Sequence, residues 1–174
     1  MMDIQTMSVV IAAGTLVVGV INQIDTSRRA AKAAESELIT RQAQFFLQIY
    51  DSFHREEFFE KFTDIITWKW KDYDDFISKY GRQANPKAWY SLGSVGAFFE
   101  GIGVLVHRKV VDAELVGELM SRHVVFFWEK ISSISYEMRR RLKSPVDVYL
   151  EYLYSQMKPI ADKQYSLTMR ELAK

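Results

Sequence analysis

The chain has 174 residues, 23 Lys plus Arg against 22 Asp plus Glu, and no cysteine. So even a charge balance offers no general field for a nucleic-acid partner, and none is expected. The missing thiols exclude disulfides, thiolate nucleophiles, Cys-ligated zinc and iron–sulfur clusters.

From Ile4 to Ile24 the chain carries no charge. At about 1.5 Å of rise per residue this stretch makes a helix of roughly 31 Å, the thickness of a hydrocarbon core. A cleaved signal peptide would need a basic leader and a small-x-small site. Here only Asp3 precedes the apolar run, and Asn22, Gln23 and Ile24 stand where small residues belong. A buried core helix would show a polar face, yet the polar residues are sparse and lie mostly near the ends. Residues 1–24 are therefore expected to be a transmembrane anchor. Ser8, Ala12, Thr15 and Gly19 share one face of it, a small-residue stripe against which another helix could pack. Arg28, Arg29 and Lys32 follow the span while no basic residue precedes it, which places the body on the cytoplasmic side of the cell membrane, single-pass.

Beyond the span, residues 25–37 combine alanine with alternating charge and read as a solvated helical stalk. Residues 38–157 are expected to form the bundle and 158–174 a tail. Ile39, Ala43, Phe46, Tyr50 and Phe53 recur at helical spacing. No Gly or Pro interrupts Ile21 to Tyr80, but a bend near His54–Glu57 or Asp72–Asp75 is expected because an unbroken helix would outgrow a compact domain. Gly81 opens a loop, and Asn85 followed by Pro86 marks a helix start. That helix is apolar nearly all round and holds Gly93, Gly96, Gly101 and Gly103, which suit close helix approach. Its run FFEGIGVLV is too short, and too interrupted by Glu100, for a second span. Asp112 is an N-cap for a helix whose apolar side is read as Leu115, Leu119, Phe126, Ile131, Ile134 and Met138. Ser144 and Pro145 are read as opening a last helix, with Val146, Tyr149, Leu150, Leu153 and Met157 inward, and Pro159 as breaking or restarting the chain. The fold class is all-α: an N-terminal transmembrane helix and a cytoplasmic bundle of about five helices.

Candidate sites are few. Glu100, flanked by Phe98, Phe99, Ile102 and Val104, is either a buried carboxylate with a raised pKa, an ion-pair partner of a cation such as Arg41, or a residue on a polar edge. His107 lies on roughly the same face without a third member to complete a catalytic set. Metal-binding bundles repeat Glu-x-x-His, which is missing here, and no cofactor is expected. Trp68 and Trp70 alternate with Lys69 and Lys71, as interfacial and strand-binding surfaces do, but on a helix the two rings would diverge. Arg139, Arg140, Arg141 and Lys143 end a helix, where cations favour the macrodipole, and they also fit anionic lipid headgroups.

The segments FFEGIGVLVHRKVVDAELVGELM, FFWEKISSI and VDVYLEYLYSQM make the chain resemble an uncharacterised prokaryotic family of small membrane-anchored helical proteins, known only as a domain of unknown function. The resemblance covers roughly residues 1–157 and implies an N-terminal span before an all-helical body; it implies no site residues. The expected function is non-enzymatic: a membrane-anchored interaction or accessory protein that contacts lipid and docks on itself or on a larger membrane complex. The alternative is a membrane-tethered sensor or effector that binds a small ligand in the bundle around Glu100. An enzyme acting on lipid headgroups would need a nucleophile or metal the sequence does not offer.

Overall fold

The computed structural model describes residues 29–172 apart from Glu35, Leu38, Gln42 and Phe45. The anchor assigned to 1–24, with its stripe of Ser8, Ala12, Thr15 and Gly19, and the flanking Arg28 lie outside the described residues. Among those described, regular structure is entirely helical.

The chain divides between Leu47 and Gln48 into two compact units. In the first, the described residues within 29–47 are helical (α1), and those from Arg29 to Gln44 are exposed, Arg29 and Lys32 included. Arg41 pairs with Glu37 one turn back at 2.6 Å, the spacing that supports a solvated helix. Ile39 is 59% exposed, so the stripe expected to begin the bundle there is not buried at its start.

The second unit opens with a helical turn, 48–53, then α2 (Glu56–Thr67), α3 (Tyr73–Tyr80), α4 (Pro86–His107), α5 (Ala113–Leu142) and α6 (Val148–Leu172). Helices α3, α4 and α5 start where short polar side chains take up orphan N–H groups. Asp72 accepts from Asp75 N at 2.9 Å, Asn85 from Ala88 N at 3.0 Å, and Asp112 from Glu114 N at 2.8 Å. The expected bends fall at 54–55 and 68–72. α6 packs along both α4 and α5, while α2 and α3 lie across α4 and α5. An aromatic layer joins them: Phe99, fully buried, has its ring 5.3 Å from Phe127 and 6.3 Å from Phe62.

Three expectations are corrected. First, α6 begins at Val148, not at Ser144–Pro145, and runs through Pro159 to Leu172. The proline is exposed, so its lost bond lies on the solvent side. The turn beyond it is held by buried Ala161 and by Gln164, which accepts from Ser121 Oγ at 3.0 Å. The compact unit accordingly extends past 157. Second, in the first half of α5 the core is Val116, Met120, Val124 and Phe127, whereas Leu119 and Phe126 are 40% and 50% exposed. Ile131 and Ile134 are buried as expected. Third, Trp68–Asp72 is not helical. Trp68 stacks on Tyr80 with centroids 4.3 Å apart, and Lys130 sits 4.6 Å over the Trp70 ring.

Among the described residues, α4 is the one helix long and apolar enough to cross a membrane by length and composition, although its apolar run looked too short for a span in the sequence. Core helices of soluble proteins pass the same test. Here Val95, Phe99, Ile102 and Val106 of α4 are buried.

Candidate functional site

The corner between α5 and α6 is built from polar bonds, and it frames a cavity. α5 ends with Lys143 in the left-handed region (φ 50°), and Asp147, just before α6, is also left-handed at φ 54°. Asp tolerates that region but Lys resists it, and the turn between the two helices is given outside support. Arg139 supplies it. Its Nε donates to Val146 O at 2.5 Å, one terminal nitrogen donates to Asp147 O at 2.8 Å, and the other bonds the Glu151 carboxylate. The Tyr136 hydroxyl donates to Glu151 at 2.6 Å, and that bond with the Arg139 pair holds the Glu151 carboxyl below its usual range.

Glu100 secures the other side of the corner. Its Oε1 accepts from Tyr149 N at 3.1 Å and its Oε2 from Leu150 N at 2.6 Å. These are orphan donors of the first turn of α6, so a carboxylate from α4 caps a helix it does not belong to, with the favourable sign for the dipole. Glu100 is half-buried, and both of its carboxylate oxygens are engaged by these main-chain donors. Gly103, one turn further along α4, allows the approach: a β-carbon there would lie 2.1 Å from Tyr149 O. His107 packs its ring edgewise on Tyr149 and Tyr152, at 5.4 and 5.0 Å, rather than joining Glu100.

Because Glu100 caps α6, the Asp147 side chain is directed elsewhere. Its Oδ2 accepts from the buried Ser135 hydroxyl at 2.6 Å. Both residues line a cavity of about 150 Å³ among α3, α4, α5 and the corner. Its walls include Phe76, Trp89, Ile134 and Met138. Gly93 and Gly96 complete the α4 side: a β-carbon on Gly93 would meet nothing within 4 Å, and on Gly96 only Asp147 Oδ1 at 3.8 Å. These two glycines therefore leave space, while Gly103 serves close packing. The glycine-lined space lies beside Asp147, not around Glu100.

Arg140 and Arg141 form ion pairs on the surface. Arg140 and Arg141 both bind Glu137, at 2.5 and 2.7 Å, and hold its carboxyl down at about 2. Arg141 also reaches Asp74 at 2.6 Å and lies 4.4 Å over the Tyr73 ring. Within the cluster Arg139 is a structural brace, while the Arg140 side chain is 70% exposed. Lys143 is exposed.

In the sequence His123 stands without an acidic residue three positions before it, so it reads as no metal ligand. Its ring stands in the aromatic layer, 4.8 Å from Phe53 and 5.5 Å from Phe62, and its buried Nδ1 has no hydrogen-bond partner among the described residues. Burial first, then the Arg122 and His54 charges, lower its pKa. Among the described residues no group of His, Asp and Glu is arranged to hold a metal ion.

An all-helical unit with a braced corner and one small apolar cavity is the class of protein these features define. The chain belongs to the family described as a domain of unknown function (DUF4760), whose profile matches residues 3–157. No curated protein and no solved structure matches it.

Proposed function

We propose that the chain is a non-enzymatic, membrane-anchored interaction protein. Residues 1–24 hold it in the bilayer as a single span, Arg28, Arg29 and Lys32 meet the cytoplasmic headgroups, and a bundle of five helices docks on a second copy or on a larger membrane assembly. The observation that carries this is the outward stripe on α5. Leu119 and Phe126 lie two turns apart on one face and are 40% and 50% exposed, with the Arg122 guanidinium 5.9 Å over the Phe126 ring. Covering the exposed part of each such side chain would contribute about 1 kcal/mol, and aromatic and Arg side chains are those enriched at docking surfaces. The uncharged segment from Ile4 to Ile24 supports the anchor. The expected result of native mass measurement on the full chain in mild detergent is a dimer or a defined hetero-assembly, returned to monomer by the double substitution Leu119→Glu and Phe126→Glu. A strict monomer with no co-purifying partner would count against the proposal.

A second function is favoured by the cavity: a membrane-tethered sensor that takes a small ligand between α4 and α5. Its support is a space of about 150 Å³ with apolar walls and one carboxylate, the composition of small-molecule sites on a reduced scale.

A further inference from the structure

The sensor function leaves the ligand's chemistry open, and the two poles of the cavity narrow it. One pole is apolar, with Phe76, Trp89, Ile134 and Met138 on its walls. The other is the Asp147 carboxylate. Ser135 engages Oδ2, and among the described residues no donor is bonded to Oδ1, which lies 3.8 Å from the position a β-carbon on Gly96 would take. Arg139 is bonded to this turn but gives its hydrogen bonds to the main-chain oxygens of Val146 and Asp147 and to Glu151, not to the Asp147 carboxylate. An ionised carboxylate only accepts, so the complementary head must donate, and a charged donor makes the stronger bond. A space of about 150 Å³ admits one benzene-sized body.

We propose that this cavity binds a small primary ammonium ion with a compact apolar body, its ammonium on Asp147 Oδ1 and its body against Phe76 and Trp89. The proposal rests on the sensor function and adds the ligand class to it. It also accounts for a division of labour at the corner. A residue preceding a helix ordinarily caps that helix with its own side chain, and here Glu100 reaches across from α4 to do so, leaving the Asp147 carboxylate on the cavity.

Calorimetric titration of the full chain in lipid nanodiscs with benzylamine and with benzyl alcohol, two ligands of one shape and different charge, tests it. Benzylamine is expected to bind saturably and about tenfold tighter than the alcohol. Asp147→Asn, which keeps the left-handed tolerance and the Ser135 bond, should weaken benzylamine by about tenfold and leave the alcohol unchanged. Gly93→Leu grows into empty space and should abolish both without lowering the unfolding temperature. Equal affinities of the unaltered chain for the two ligands would overturn the ammonium assignment and leave the sensor function standing, even if the Asn variant failed to fold. No saturable binding of either ligand, or binding indifferent to Gly93→Leu, would overturn both.

Discussion

The second unit is held together differently at its two ends. At the aromatic end, Phe53, Phe62, Phe99 and Phe127 interlock, and almost no polar bond is involved. At the α5–α6 corner, Arg139, Glu100, Asp147 and Glu151 fix the backbone through directional bonds, and a cavity lies beside them. Apolar side chains fill space wherever their volumes fit, whereas hydrogen bonds set positions before the volume is filled. The polar end is thus the place where a void is tolerated.

Substitutions at the two ends should differ in size and kind. The largest loss is expected at the aromatic end: Phe99→Ala removes a fully buried ring and should cost about 3–5 kcal/mol in urea unfolding. Arg139→Ala comes next, at about 2–3 kcal/mol, because it strips two main-chain oxygens and Glu151 of their donor. A loss at Arg139 as large as that at Phe99 would dissolve the contrast. Glu100→Gln keeps the shape but gives up the charge facing the first turn of α6, and should cost about 1 kcal/mol by the same measurement.

The smallest effect is a pH dependence at the aromatic end. The folded pKa of His123 lies below its unfolded value of 6.5, so the unfolded chain takes up a proton first as pH falls. The contribution of the neutral ring is complete above pH 6.5 and is lost as pH falls through the folded pKa. Unfolding curves of His123→Leu should lack that part of the acid-side decline, and an unchanged decline would place its origin elsewhere.

The same two ends differ in how far the sequence discloses them. Helix starts at Asn85 and Asp112 are legible because a cap and its helix are neighbours in the chain. The α5 stripe is ambiguous because that helix carries two apolar faces. Leu115, Leu119 and Phe126 are spaced as well as Val116, Met120 and Phe127, and only packing selects between them. The corner is the least legible. Glu100 caps residues about fifty positions away, a pairing no local pattern records, and Ser144–Pro145 imitates a helix start while the left-handed Asp147 delays it. Nothing in the spacing distinguishes Gly93, which opens the cavity, from Gly103, which closes a backbone contact. Arg139 looks like its neighbours Arg140 and Arg141 until the turn folds back onto it. His123 lacked any motif, and its signal is only that Met120, Phe126 and Phe127 stand three and four positions from it on the helix.

The claim from which the rest follows is that Ile4–Ile24 fixes this chain in a bilayer. Alkaline carbonate extraction of membranes from cells expressing the full chain tests it most directly. The chain should remain in the pellet, and a single cysteine placed at Ser166, in a sequence that otherwise has none, should react with an impermeant reagent only after the cells are opened. Recovery of the full chain in the supernatant would contradict it.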